Sequence, residues 1–159
     1  MTFRLERAAN PLMLVALLTL ICGCQKTNTA TPVAPTPTEK SAIYTVQTKD
    51  VAIVEGESRV ATLLLAPTAP WKYNDAYPTQ LSLKPLGADG SVSLQKTTFQ
   101  ATDVRMAEGN ATIGIALKGV RSGEETMAGT VKFSLCVKEK CVLREKDVSW
   151  NIRVTQASR

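Results

Sequence analysis

The chemically reactive side chains of this sequence are its four cysteines. Two of them, Cys22 and Cys24, lie close to the N-terminus, and the other two, Cys136 and Cys141, lie in the last quarter of the chain. No histidine occurs among the 159 residues, so the usual general base near neutral pH and the commonest metal ligand are both missing. Serine–histidine and cysteine–histidine catalysis are therefore excluded within one chain. We expect no hydrolase activity, no metal site and no cofactor, and the absence of histidine argues against a classical enzyme.

The first cysteine pair ends a segment with the layout of an export signal. Two arginines precede an apolar run, Leu12–Ile21, and the run is followed by Cys22-Gly23-Cys24. The run is shorter than the roughly 20 apolar residues that span a bilayer, and a basic start, a short apolar stretch and a small residue before the cut indicate a cleaved signal. The ending resembles a bacterial lipobox. This resemblance implies that residues 1–23 are a lipoprotein signal peptide and that Cys24 carries the lipid. An ordinary cleaved signal with two chance cysteines is the alternative.

The segment after the first cysteine pair has the composition of a tether. Residues 24–42 are rich in threonine, proline and alanine and hold few apolar side chains, which is typical of a disordered or polyproline-like linker. Gln25, rather than aspartate, follows Cys24, which resembles the outer-membrane sorting signal of Gram-negative lipoproteins. We expect a protein anchored by its lipid in the bacterial envelope, on the outer membrane and facing the periplasm. That compartment is oxidising, so a disulfide between the two remaining cysteines is permitted.

Residues 43–159 have the texture of strands. Seven segments show an apolar or alternating pattern, and turn residues such as Gly87-Ala-Asp-Gly90 separate them. No window in this part of the chain keeps a helical period. The pattern predicts one immunoglobulin-like antiparallel β-sandwich without the usual cysteine pair between the sheets. The expected core is Leu63, Leu65, Leu81, Ile113, Phe133, Leu135, Trp150 and Ile152.

The charge pattern argues against nucleic-acid binding. The chain holds 19 Lys+Arg and 14 Asp+Glu, for a net charge of +5, but the signs alternate in stretches such as Lys138-Glu139-Lys140. Alternating charges are typical of a solvated face rather than of a groove that follows phosphates.

One aromatic stretch interrupts the strand pattern. Residues 69–78 bring Trp71, Tyr73 and Tyr77 into a loop bounded by prolines. Tryptophan and tyrosine are favoured anchors of binding surfaces, so one interpretation is a binding loop. The other, which we favour, is that the rings cap one end of the sandwich with their polar tips in water.

The second cysteine pair lies in a predicted hairpin, Val131–Val142. Alternation puts Phe133 and Leu135 on the core face and Cys136 on the other face, and the apolar Val142 turns Cys141 outward. With a turn of two or four residues the cysteines lie directly opposite each other. A two-residue turn makes them a non-hydrogen-bonded pair, with Cα atoms about 4.5–5.5 Å apart, which a disulfide accepts. The bond is then expected on the solvent face near the hairpin tip, either as a simple staple or as a bond that a partner thiolate can attack.

The residues from Val131 to Trp150 resemble the end of the periplasmic N-terminal domain of thiol:disulfide interchange proteins of the DsbD type. Such domains have a strand, a cysteine, a few polar residues, a second cysteine and a closing strand, and the 71–78 stretch is similar to a loop upstream in them. The resemblance implies an immunoglobulin-like fold in which Cys136 and Cys141 are the redox pair. Arg144 stands where the family often has proline.

Two functions follow as hypotheses. The first is a lipid-anchored periplasmic module that exchanges electrons through Cys136 and Cys141 with a thioredoxin-like or other envelope protein. The alternative is a non-catalytic structural or partner-binding domain, in which the disulfide staples the hairpin.

Overall fold

A computed structural model describes residues 39–158 of the chain. The signal segment, Cys24 and most of the tether lie outside these residues. Within them, no helix is long and apolar enough to cross a membrane, and the only helical element is a single 3-10 turn, Ala101–Asp103. The strands are β1 (Glu39–Lys40), β2 (Tyr44–Thr48), β3 (Val51–Val54), β4 (Ser58–Pro67), β5 (Lys72–Tyr73), β6 (Gln80–Leu83), β7 (Val92–Leu94), β8 (Thr98–Phe99), β9 (Val104–Ala107), β10 (Asn110–Gly119), β11 (Gly123–Val137) and β12 (Lys140–Thr155).

These strands form two sheets. The first sheet has the order β1-β2-β4-β10-β7, with β9 also paired to β10, and the second has the order β3-β12-β11-β6-β8, with β5 also paired to β11. Every pairing is antiparallel except that of β12 with β3, which is parallel. The predicted all-β, two-sheet immunoglobulin-like sandwich is confirmed, and the parallel pair is its one departure from a wholly antiparallel arrangement. It joins β12 to β3, a strand from the start of the domain, and the chain connects the two by a long crossover rather than by a hairpin.

The core lies between the sheets and is built by alternation. In β10 every second residue is buried from Ala111 to Gly119, as expected for a strand with one face on the core. Tyr44 of the first sheet meets Phe133 of the second edge to face, with ring centroids 5.2 Å apart. All eight residues predicted for the core are at most 1% exposed.

The seven predicted strands are all present, and the structure adds five short ones. The added strands have two to four residues each. Segments this short hold too little alternation to be recognised, and they depend on pairing with a longer neighbour. One of them, β1, lies within the segment that the sequence analysis assigns to the tether.

Candidate functional site

The candidate site lies at the tip of the hairpin formed by β11 and β12. These strands have 15 and 16 residues and stay paired without a shift in register, from Gly123 opposite Val154 to Val137 opposite Lys140. The turn between them has two residues, one of the two lengths predicted, and its first residue, Lys138, has a positive φ of 51°. This regular ladder carries the cysteines to the far end of the hairpin.

Cys136 and Cys141 form a disulfide. They lie directly opposite each other in the ladder, and their Cα atoms are 4.0 Å apart. Since Val137 and Lys140 close the two-residue turn, the cysteines are the next pair and belong to the non-hydrogen-bonded type. The predicted pairing is confirmed, with a separation slightly below the predicted range.

The two cysteines differ in exposure. Cys141 is exposed, whereas Cys136 is half-buried. On the same face of the hairpin, Leu143 is an apolar side chain with 59% of its surface exposed. The predicted solvent-facing position therefore holds fully for Cys141 and in part for Cys136.

Part of this outer face is covered, which the sequence analysis did not predict. Ser134, two residues before Cys136, is only 1% exposed. The backbone N–H of Asn74 donates to the Ser134 carbonyl at 3.0 Å, and the Asn74 side chain donates to the Ser134 hydroxyl at 3.4 Å. The aromatic loop thus lies beside β11 and shields this position from water.

The same loop brings a lysine next to the disulfide. Through β5, Lys72 lies opposite Cys136 and Tyr73 lies opposite Leu135. Residues opposite each other in a ladder project from the same face of the sheet, so the exposed Lys72 and Cys136 share the outer face. Sequence reasoning missed this neighbour because a two-residue strand leaves no pattern. The aromatic residues of the loop were the sequence signal that the segment packs.

The aromatic loop neither stands free nor simply caps the sandwich. Trp71, Tyr73 and Tyr77 are all half-buried. The Tyr73 hydroxyl is hydrogen-bonded to the buried Thr79 hydroxyl rather than left in water. Burial raises the pKa of Tyr73, and the nearby Asp75 carboxylate raises it further, against the opposite effect of the Thr79 hydrogen bond. The prediction of wet polar tips is therefore wrong for Tyr73, because the loop folds its hydroxyl back onto its own C-terminal end.

Two shallow cavities of about 410 Å³ each flank this loop. One lies between Trp71 and the β9–β10 turn, with Met106 in its wall. The other lies between Tyr77 and the 3-10 turn and includes Lys132. Neither holds a cluster of groups suited to catalysis, and within residues 39–158 no three cysteine, aspartate or glutamate side chains are placed to bind a metal.

The charge around the disulfide is mainly positive. Lys72 lies opposite Cys136, and Lys138 and Lys140 belong to the tip, where Glu139 is the nearest acid in the sequence. Further from the tip, Lys132 forms an ion pair with Glu145 at 3.4 Å. A disulfide on an exposed, basic tip is accessible to an anionic group such as a thiolate.

Comparisons with known proteins give low similarity. No family model matches the chain, and no curated protein matches it. Among solved structures, murine CRIg is 10% identical with a TM-score of 0.38, over 70% of this chain and 98% of that one. A PapD-like domain of human CEP192 is 12% identical with a TM-score of 0.35, over 93% and 100%. Native α-2-macroglobulin of E. coli is 18% identical with a TM-score of 0.39, over 74% of this chain but 7% of that one. The β-sandwich assignment rests on the two sheets themselves.

Proposed function

We propose that this chain is a disulfide-stapled, immunoglobulin-like domain that binds a partner protein in the bacterial envelope. The observation that supports this function best is the tip of the β11–β12 hairpin. There Leu143, an exposed apolar side chain, lies two residues beyond the disulfide-bonded Cys141, on a stretch of β12 that β3 does not cover. An unpaired stretch of strand beside an exposed apolar side chain offers a partner both main-chain hydrogen bonds and an apolar contact.

The Cys136–Cys141 disulfide stabilises the hairpin tip rather than the core. The bond joins residues five apart in sequence that already face each other in a ladder. In the chain-entropy model, so small a loop gives about 2 kcal/mol, against nearly 5 kcal/mol for a loop of a hundred residues. The buried core does not include either cysteine. The bond therefore mainly limits fraying at the hairpin end.

The experiment that tests binding is photocrosslinking in cells. A photoreactive amino acid at Leu143 is compared with one at Val60, which is 62% exposed on the first sheet. The proposal expects a discrete crosslinked product from position 143 and much less from position 60. It also expects a lower yield of that product in a Cys136→Ser/Cys141→Ser variant that remains folded, because the hairpin tip then frays more often. Equal crosslinking from both positions would count against a binding site at the hairpin tip.

Thiol–disulfide exchange is the second candidate function, and the exposure of Cys141 favours it. In that reaction a partner thiolate attacks Sγ of Cys141 and forms a new S–S bond. The Cys136–Cys141 bond breaks, and Sγ of Cys136 leaves as a thiolate that takes up a proton. A second thiolate of the partner then attacks the partner sulfur that is bonded to Cys141. Cys141 leaves as a thiol, and the partner dithiol is oxidised as this pair is reduced.

The reduction potential separates the two candidates. Structural disulfides typically lie below about −300 mV and exchange-active ones lie higher. A staple predicts a value in the structural range, and no mixed disulfide in cells when Cys136→Ser leaves Cys141 free. A value above that range, together with a trapped mixed disulfide, would make exchange the function instead.

We also propose that Cys24 is lipidated and holds the domain on the outer membrane, facing the periplasm. Labelling cells with a palmitate analogue tests this assignment, which rests on the sequence around Cys24. Cys24→Ala is expected to abolish the label and release the protein from the membrane fraction, whereas Cys22→Ala is the matched control. A label that survives Cys24→Ala would overturn the assignment.

A further inference from the structure

The direction of the backbone groups along β12 follows from its register. In an antiparallel pair, the two residues of a non-hydrogen-bonded pair point their N–H and C=O groups away from each other. The Cys136–Cys141 pair is of this type, and the unbroken ladder extends the alternation along both strands. Two hydrogen bonds agree with this assignment. The Ser134 carbonyl accepts from Asn74, on the side away from β12, and the Thr155 carbonyl accepts from Glu55, on the side away from β11.

The backbone of Cys141 therefore points out of the sheet. The same is true of the alternate residues that follow, Leu143, Glu145, Asp147 and Ser149. On this side β12 pairs with β3 only from Ile152 to Thr155, and no described strand pairs with it from Lys140 to Ser149. We call this stretch the free edge.

One outward backbone carbonyl on the free edge already accepts a hydrogen bond from a side chain. The guanidinium of Arg144 donates to the carbonyl of Leu143 at 2.8 Å. Natural proteins commonly use a charged side chain to protect a strand edge from uncontrolled pairing. Covering by a side chain is reversible, and it leaves the outward N–H groups of Cys141 and Leu143 without a strand partner among the described residues.

We propose that the free edge is a docking site for an extended, acidic segment of a partner protein, which pairs with β12 and adds a strand to the second sheet. The inference rests on the proposed binding function and names the mode of binding. Strand addition supplies affinity through main-chain hydrogen bonds and specificity through alternate side chains. The disulfide adjoins this site because Cys141 is itself an edge residue, and the bond to Cys136 limits fraying of an edge that the ladder already positions.

The preference for an acidic segment follows from the charges that the domain leaves uncompensated. Near the tip, Lys138 and Lys140 have no ion pair within the described residues, and Arg144 contacts only a carbonyl. Two acids further along β12 are engaged, since Glu145 pairs with Lys132 and Asp147 accepts a hydrogen bond from Thr130, so Glu139 in the turn is outnumbered by the three cations around it. An acidic side chain opposite Arg144 would draw the guanidinium away from the Leu143 carbonyl and open that acceptor.

The same charges argue against a second copy of this chain as the occupant. Two-fold antiparallel pairing of free edges must match outward residues with outward residues. If the pairing centres on Leu143, Lys140 faces Lys146. If it centres on Arg144 or Glu145, that residue faces its own copy. Neighbouring centres also place like charges opposite each other, which destabilises a cross-strand pair.

A peptide joined to Cys141 by a disulfide tests the docking mode with a defined probe. In the full chain with Cys22, Cys24 and Cys136 replaced by serine, Cys141 is the single thiol. The probe is the blocked peptide Thr-Glu-Val-Thr-Cys-Thr-Val. Paired antiparallel through its cysteine, it sets glutamate opposite Arg144 and the next valine opposite Leu143. The measurement is the equilibrium between the peptide and glutathione for the disulfide to Cys141, read by intact-protein mass spectrometry.

Two N-methylated peptides are matched controls. A methyl on the amide of that valine blocks an N–H that faces the free edge, whereas a methyl on the threonine before the cysteine blocks one that points away. We expect the unmodified and the threonine-methylated peptides to be favoured about tenfold over the valine-methylated one, since two or so edge hydrogen bonds are at stake. Equal preference for all three peptides would overturn strand addition while leaving the crosslinking result for the binding function unaffected.

A protein variant gives an independent check. Leu143→Pro removes an outward N–H without removing a bond of the β11–β12 ladder, a position where proline is tolerated on an edge strand. Leu143→Ala removes the side chain and keeps the N–H. We expect the peptide preference to be lost in the proline variant and kept in the alanine variant. Loss in both would assign the effect to the leucine side chain instead, and sedimentation at equilibrium that showed a dimer would replace the proposal with self-pairing.

Discussion

Trp150 on the second sheet donates its indole N–H to the backbone carbonyl of Thr62 on the first sheet, at 3.1 Å. The ring is fully buried, so this hydrogen bond links the two sheets through the core. Many immunoglobulin-like domains join their sheets with a buried disulfide. The present domain has its described disulfide at a hairpin tip and joins the sheets with a tryptophan.

Replacing that tryptophan tests the link. Trp150→Phe removes the indole donor and part of the ring, and it is expected to lower the free energy of unfolding by about 2–4 kcal/mol. Urea unfolding measures the change. Trp71→Phe is the control, because Trp71 is only half-buried at the edge of the core, and a smaller loss is expected there. Losses of equal size in the two variants would show that the inter-sheet bond adds nothing.

Lys72 is expected to increase the reactivity of the reduced cysteine pair. A neighbouring cation favours the thiolate form of a cysteine, and Lys72 lies opposite Cys136 in the sheet. Lys72→Gln is predicted to slow alkylation of the reduced protein by iodoacetamide about twofold at neutral pH, a modest effect because solvent and salt screen the charge. Lys132→Gln on the same face is the control and should leave the rate unchanged. A rate in the Lys72 variant that matched the parent would remove this residue from the site.

The ion pair beside the 3-10 turn predicts a small acid-dependent loss of stability. Lys96 donates to both carboxylate oxygens of Asp103, at 2.7 and 2.6 Å, and this interaction holds the pKa of Asp103 below its usual value, with help from the Gln100 N–H. A lowered pKa in the folded state adds stability above the unfolded value of about 3.9, and this stability is lost as the pH falls through the folded value.

Asp103→Asn tests that dependence. The variant is expected to be about 0.5 kcal/mol less stable than the parent at pH 7, as is typical of an exposed pair, and the difference should shrink below pH 4. Denaturant unfolding at several pH values provides the measurement. A difference that stayed constant down to pH 2 would show that the carboxylate charge is not its cause.

Two glycines give a matched test of close packing in the second sheet. A Cβ at Gly129 would lie 2.6 Å from the Ser82 carbonyl oxygen and 2.9 Å from a Leu83 methyl, whereas a Cβ at Gly87 would meet nothing within 4 Å. Gly129→Ala is predicted to destabilise the domain by about 1–3 kcal/mol, since backbone must move to make room. Gly87→Ala should change stability by less than about 1 kcal/mol, as read from thermal unfolding. Similar melting temperatures for the two variants would contradict the close approach of β6 to β11.

Much of the fold could be predicted because long amphipathic strands carry their own signal. Alternation in β10, β11 and β12 identified the core face, including Phe133 and Trp150. It also placed Cys136 opposite Cys141, since a side-chain period of two fixes the face of every residue once one is known. The two-residue turn then followed as one of the two lengths allowed.

The neighbours of the disulfide could not be predicted in the same way. Lys72 comes to lie beside Cys136 through a strand of two residues, and Asn74 covers Ser134 from a loop. These contacts join residues far apart in sequence. They depend on where the rest of the fold places the loop, and local sequence propensity does not predict that position. Alternation along β12 predicts that Leu143 faces outward. It does not predict that no strand pairs with β12 at this point, because that depends on the position of the other strands in the sheet.

The unbroken register of the hairpin also limits how the sequence can change over evolution. Adding one residue to β12 alone, between Cys141 and the sandwich, would form a bulge or exchange the inward and outward faces toward the tip. The exchange would turn the outward N–H groups of that stretch toward β11. Adding a cross-strand pair, one residue on each strand, would move the disulfide further from the sandwich, and two such pairs would also restore its face. Related chains are therefore free to differ in hairpin length mainly by matched insertions, with the disulfide marking the tip in each.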